Sequence, residues 1–187
     1  MRNTIYRLVE DIEPFDRLEE LHKNEVLKWI EEGHPLFRIS KPDNPPKHLA
    51  TYFVLYDRDN LSLLLIDHIK SGLRLPSGGH VDLDEDPKET TIREANEELK
   101  IAAEFTEEFG ENPLLITSTI TNGHDKHVDV TFWYIIKGDK TQTLDFDKRE
   151  MTGYSWMTPD EILAMDSKNT DPHMHRFVQK MTATLAK

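Results

Sequence analysis

Apolar positions along the chain fall into helical and strand-like patterns that divide it into a first segment, a connector and a longer second part. In the segment that runs to about Ile39, Leu18, Leu21, Val26, Leu27 and Ile30 recur at roughly helical intervals, so its middle is predicted to be a helix with a packing role. Pro42, Pro45 and Pro46 then discourage regular structure and mark a connector. Residues 1–47 are therefore read as a helical extension with its proline-containing connector, and residues 48–187 as the main domain.

Residues 51–56 and 61–66 are aliphatic and aromatic runs joined by Asp57-Arg58-Asp59-Asn60, the pattern of two strands and a tight turn. A short run after Ser71-Gly72 reaches Pro76 and then Ser77-Gly78-Gly79, where the backbone must bend sharply or approach something closely. A helix follows, and strands are predicted over residues 114–120 and 127–136. In the second of these Val128, Val130, Phe132, Tyr134 and Ile136 alternate with a more polar set, so one buried face is expected. Trp133 and Tyr134 read as sheet packing rather than a base-stacking platform, although on that alternation only one of them can face the core, which leaves the other able to reach a ligand. Residues 154–157 read as a last strand, and Thr158-Pro159-Asp160-Glu161 has the form of a capping box that opens a short helix. Asp171-Pro172 opens a terminal helix with an apolar stripe of Met174, Phe177, Val178 and Met181. Strands and helices are mixed without the regular alternation of a doubly wound sheet, which makes the fold class α/β of the α+β kind. There is no internal repeat.

Composition narrows the chemistry. At 187 residues the chain suits one catalytic domain with an extension. It has no cysteine, which removes disulfides, thiolate nucleophiles and cysteine-based zinc sites, so any metal must sit on oxygen or histidine. The formal net charge of −12 argues against nucleic acid as a partner, because backbone binding relies on clustered Lys and Arg. Arg2, Arg7, Glu10, Asp11 and Glu13 interrupt the start of the chain, unlike a signal peptide, and nowhere do about 18 apolar residues follow one another as a membrane helix requires. No membrane partner and a cytoplasmic location are expected.

The informative stretch lies between Gly78 and Ile101. Asp86 can cap a helix, Pro87 suits its first turn and Glu89 completes a capping box. At about 100° per residue, Ile92, Ala95 and Leu99 fall on one side of this helix while Glu94, Glu97 and Glu98 gather on another. Like charges at helical spacing repel by about 0.2–0.5 kcal/mol per pair, and a divalent cation reverses that sign. Mg²⁺ takes hard oxygen ligands and commonly bridges carboxylates to substrate phosphates. A Glu-rich helix is more often a solvated acidic face, but the Gly-Gly turn ahead of it lets the backbone come close to a metal or phosphate.

This stretch resembles the Nudix box, Gly-x5-Glu-x7-Arg-Glu-U-x-Glu-Glu-x-Gly-U with U apolar. Gly79, Glu85, Arg93, Glu94, Ala95, Glu97, Glu98 and Ile101 occupy their places, and only the second glycine fails. The resemblance extends to the family's α/β/α sandwich with a mixed sheet over about residues 48–166, leaving the N-terminal helical extension and the C-terminal helix outside it. It implies that Glu94, Glu97 and Glu98, with the backbone carbonyl of Gly79, hold Mg²⁺ or alternatively Mn²⁺, and that Glu85 and Arg93 form a structural pair steadying the loop. The implied reaction is attack of water on a diphosphate linkage of a nucleoside triphosphate or other nucleoside diphosphate derivative, with nucleotide sanitising as one candidate role. The general base is implied to be either a box glutamate or a glutamate in the loop before the last strand. Glu150 fits that loop, and fits an ordinary surface glutamate equally well. With Arg93, the expected catalytic group is thus Glu94, Glu97, Glu98 and Glu150.

Lys100 stands where a glycine is expected, so either it adopts a left-handed φ or the helix ends differently. Ser77 interrupts the common Pro-Gly-Gly, and Leu73 replaces a frequent aromatic. A catalytically silent Nudix-like domain that binds nucleotides and regulates another protein is the alternative, though such domains tend to lose the glutamates retained here. The isopentenyl diphosphate isomerases of the same fold rely on a cysteine and are set aside. His124, His127, His173 and His175 read as loop, helix-end or substrate-neighbour residues rather than a zinc site. The N-terminal segment is open to two roles, a homodimer contact or a cover over the sheet.

Overall fold

The computed structural model describes residues 1–40, 44–121 and 126–187, so Pro42 and His124 lie outside the described residues. Helices α1 (Arg2–Glu10) and α2 (Arg17–Glu31) precede strands β1 (Lys47–Asp57), β2 (Ser62–His68), β3 (Arg74–Leu75) and β4 (Ser77–His80). Helix α3 (Pro87–Leu99) leads to β5 (Leu115–Ile120), β6 (Val128–Lys137) and β7 (Met151–Met157), and the chain closes with α4 (Pro159–Leu163) and α5 (Met174–Leu185).

The sheet runs β3-β2-β1-β6-β5, with β4 also on β1 and β7 also on β2. It is mixed: β1 and β6 are parallel and the other pairs are antiparallel. One edge of β1 is shared, since β4 takes residues 50–53 and β2 takes residues 56–57, so β2 and β4 fork apart along it. Between β1 and β2 the Asp57 carboxylate accepts from the Asn60 N–H at 2.9 Å, which holds the expected tight turn.

Helices cover both faces of this sheet. Leu49, Phe53 and Leu55 of β1 and Phe132 and Tyr134 of β6 pack with Ile5, Val9, Val26 and Ile30 of the first two helices and with Ala95 and Leu99 of α3. On the other face, Val54, Leu63, Leu65, Trp133 and Ile135 pack with Ile162 of α4 and with Phe177, Val178 and Met181 of α5. Trp133 and Tyr134 are therefore both fully buried in sheet packing, and neither is left to reach a ligand. The more polar set on β6 still faces helices, because this sheet is the middle layer of three rather than a sheet with one wet face.

The N-terminal segment also departs from its pattern. Ile5 and Val9 bury a first helix, α1, that charge obscures in the sequence. In α2, Val26 and Ile30 are buried as expected, but Leu18 and Leu21 are exposed and Glu19 is fully buried in their stead. The cause is the edge of the sheet. Among the described residues no further strand pairs beyond β5, and α2 supplies acceptors to its outward N–H groups: Ile116 N–H donates to Glu19 Oε1 and Ser118 N–H to His22 Nδ1, each at 3.3 Å. Glu19 Oε1 also accepts from Lys180 Nζ of α5 at 2.7 Å, and Asp16 pairs with Arg176 through both carboxylate oxygens at 2.6 and 2.7 Å. The N-terminal segment thus packs against the sheet and is bonded to the last helix. No helix among the described residues is long and apolar enough to cross a membrane.

Candidate metal and catalytic site

Helix α3 begins at Asp86, whose side chain accepts from the Lys88 N–H at 2.9 Å, with Pro87 in the first turn. The reciprocal capping box expected with Glu89 is not formed there; Thr158 and Glu161 form one at the start of α4. At the other end Lys100 takes φ 55, ψ 36, the left-handed conformation, so the first of the two outcomes open to it holds.

Strand β4 lays Gly78 and Gly79 between β1 and α3. A Cβ on Gly78 would stand 2.0 Å from the Thr51 carbonyl oxygen, and one on Gly79 would stand 2.1 Å from Glu94 Oε1. Gly78 needs glycine because the Thr51 backbone passes there, whereas a side chain at Gly79 would have to push the Glu94 carboxylate aside. The Gly78 N–H donates to Glu98 Oε2 at 3.3 Å, which brings Glu98 to the same strand.

Arg93 ties the loop to the helix. Its Nε and Nη2 donate to the two oxygens of Glu85 at 3.0 Å each, Nη2 also donates to the His80 carbonyl at 3.3 Å, and Nη1 donates to Glu94 Oε1 at 2.7 Å. Burial alone would raise the Glu85 carboxyl, but hydrogen bonds from Arg93 and Thr90 outweigh it and hold Glu85 below the ordinary carboxylate range. The two inner glutamates respond in the opposite direction. Burial raises Glu94 despite Arg93, and burial together with the charge of Glu94 pushes Glu98 up to about 8. Glu97 lies outside them, largely exposed, with Oε2 3.7 Å from Arg93 Nη1.

Glu150 sits in the turn before β7. The Asp147 N–H donates to the Glu98 carbonyl at 2.7 Å, the Ile69 N–H donates to the Glu150 carbonyl at 2.9 Å, and Glu150 Oε2 is 4.0 Å from His68 Nε2. Its charge acts on Glu98. Gly79, Glu85, Arg93, Glu94 and Glu98 are thus gathered in one place, Glu97 stands at its solvent side and Glu150 approaches from the loop. Beyond His68 a cleft of about 530 Å³ is lined by Asp67, His68, Leu73, Arg74, Thr152 and Asn169. Of these only Leu73 stood out in the sequence, as a replacement for a frequent aromatic; the others come from β2, β3, β7 and the stretch before α5 and meet only in the folded chain. His173 is buried against His22, with ring centroids 5.3 Å apart, and serves as a helix end.

The donor set suits a hard divalent cation. Crowded carboxylate oxygens, two of them raised by burial and mutual repulsion, are the arrangement that a bound Mg²⁺ would relieve.

A family model described as the NUDIX domain matches residues 46–181. Solved structures share the fold at low identity. DR0079 from Deinococcus radiodurans aligns with a TM-score of 0.58 and 19% identity over 76% of this chain and 89% of that one. The MutT protein from Methanosarcina mazei Go1 gives 0.58 and 19% over 77% and 99%, and an Ap4A hydrolase of C. elegans gives 0.58 and 19% over 74% and 97%. A comparison with curated proteins gives no match. Because the domain match runs from just before β1 into α5, and so takes in the whole sheet and the carboxylate helix, the chain belongs to the Nudix hydrolase family.

Proposed function

We propose that the protein is a Mg²⁺-dependent pyrophosphohydrolase that cleaves the diphosphate linkage of a nucleoside triphosphate or another nucleoside diphosphate derivative. The observation that carries this reading is the partial burial of Glu94 and Glu98 at Gly79 and Gly78, where desolvation and mutual repulsion raise both carboxyls and a bound divalent cation would relieve that cost. Glu94, Glu97 and Glu98, with the Gly79 carbonyl, are the groups that would hold it. Bound there, Mg²⁺ supplies charge neutralisation on the diphosphate oxygens and a more acidic water.

The chain's own residues do the rest. Arg93 is held by Glu85 and in turn fixes Glu94, so its role is positioning. Glu150 takes the proton of the attacking water as its oxygen bonds to phosphorus and the bridging P–O bond breaks, with the electron pair leaving on the departing phosphate. The cleft beyond His68 accepts the nucleoside part, and the Arg74 guanidinium, 2.9 Å from Asp67, offers donors at its wall.

The test is phosphate or nucleoside monophosphate release from nucleoside triphosphates, oxidised nucleotides, ADP-ribose, nucleotide sugars, dinucleoside polyphosphates and NADH, with Mg²⁺ and with EDTA. Metal-dependent turnover of one class, abolished by Glu97→Ala or Glu98→Ala in a folded protein, is expected. Unchanged activity in both variants would sink the assignment. Calorimetric nucleotide binding with no turnover on any substrate would replace it with the regulatory reading.

A further inference from the structure

On the sheet face turned away from α3, four side chains converge that the carboxylate site does not use. Gly79 points toward Glu94, so the next residue of β4, His80, points to the opposite face. His80 lies opposite Ala50 of β1, two residues on from His48, and Asp129 of β6 lies opposite His48. His127, just before β6, completes the group. One ligand atom from each of His48, His80, His127 and Asp129 lies within 4.8 Å of the others.

Asp129 Oδ1 is 3.2 Å from His127 Nε2, 3.4 Å from His48 Nε2 and 3.5 Å from His80 Nε2. Ligands at Zn–N and Zn–O distances of about 2.0–2.1 Å on a tetrahedron stand about 3.3–3.4 Å apart, so the three edges that meet at Asp129 already fit. The rings are also set from behind. His48 Nδ1 donates to the Pro45 carbonyl at 2.8 Å, and because a carbonyl can only accept, the proton of a neutral ring sits on Nδ1 and leaves a lone pair on Nε2. Thr121 Oγ1 lies 3.1 Å from His127 Nδ1 and holds the orientation of that ring.

The alternative to a metal is unfavourable. His48 is completely buried, and the buried atoms His48 Nε2, His80 Nε2 and Asp129 Oδ1 make no hydrogen bond. Buried polar atoms in that condition cost free energy, whereas a cation turns them into ligands. Three imidazoles and one carboxylate in a four-coordinate arrangement suit Zn²⁺ and its neighbours, not Mg²⁺, which asks for six oxygens. Four protein ligands leave no open position, the mark of a structural site.

We infer that His48, His80, His127 and Asp129 form a zinc-class metal site that clamps β4 to β1 and β6 directly behind Gly79. The clamp would hold the Gly78-Gly79 strand against β1 from the face opposite the carboxylates.

The experiment is Co²⁺ titration of the metal-stripped full chain followed by visible absorption. Tetrahedral Co²⁺ absorbs far more strongly than Co²⁺ in an octahedral oxygen site, so the signal separates this cluster from the glutamates. One equivalent of tetrahedral Co²⁺ is expected, displaced by Zn²⁺, kept in Glu98→Gln and lost in His80→Gln and Asp129→Asn. Those side chains are 25% and 23% exposed, which makes the two variants the ones best placed to fold. Zn²⁺ should raise the melting temperature of the unaltered chain and leave both variants unmoved. A purely octahedral spectrum in the unaltered chain, or an unchanged tetrahedral one in both folded variants, overturns the site.

Discussion

Replacing Lys180 by methionine removes the positive half of a buried pair that joins the N-terminal segment to the last helix. Lys180 Nζ donates to Glu19 Oε1 and to the Glu13 carbonyl, each at 2.7 Å. Methionine fills the volume but leaves Glu19, fully buried, without its counter-charge. Breaking such a pair from one side costs about 3–5 kcal/mol. The low end is expected, because Glu19 keeps the N–H groups of Phe15 and Ile116 as donors. A loss of about 3 kcal/mol in a domain of this size lowers the melting temperature by roughly 6–12 °C. Denaturant unfolding with an unchanged slope, alongside a thermal melt, measures it. The double variant Glu19→Gln/Lys180→Met removes the stranded charge yet keeps an acceptor for Ile116, so it should recover most of the loss. A single-variant loss below about 1 kcal/mol, or a double variant no more stable than the single one, would refute the view that the pair is desolvated.

Gly79→Ala puts a methyl group into the Glu94 carboxylate and should lower turnover by about a hundredfold, the usual result of displacing a catalytic group by about 1 Å, with little change in melting; activity within tenfold of the parent would show that Glu94 tolerates displacement. Lys100→Gly relieves a left-handed φ of 55 and should add about 1 kcal/mol, read as a shifted denaturant midpoint. His173, lowered from 6.5 to about 4 by burial and then by the Arg176 guanidinium, gives a pH dependence. Between those values the unfolded chain binds a proton that the folded one refuses, so stability falls as the pH drops from 6.5 toward about 4, by roughly 3 kcal/mol at most. His173→Gln should flatten that slope in melts at about pH 7 and about pH 5; an unaltered slope would assign it to other groups.

Helix α3 was legible from the sequence because its periodicity, its capping residue and its acid face all agree, and β1, β2, β5 and β6 were legible as apolar runs. Their ends were less so: β1 begins at Lys47, within the proline-containing connector, and Leu61 turns with a positive φ before β2 rather than starting it. The packing face of α2 was misread because periodicity ranks leucine above glutamate, whereas the free edge of β5 demands acceptors and draws Glu19 inward. The burial of both Trp133 and Tyr134 depends on which helices cover the sheet, information that no local window contains. The histidine and aspartate cluster shows the same limit, since His48, His80 and Asp129 come from three strands and meet only through their register.

The long parallel pairing of β1 with β6 has a consequence for how the chain folds. Residues 47–56 find their partners at residues 128–137, and everything between them, including α3 and its carboxylates, must be made first. During synthesis β1 therefore waits with one edge open along nearly its whole length, carrying Leu49, Phe53, Val54 and Leu55. Chains that end before β6 should aggregate or be captured by chaperones, and the full chain should fold slowly for its size, because its central strand is completed by one of its latest contacts.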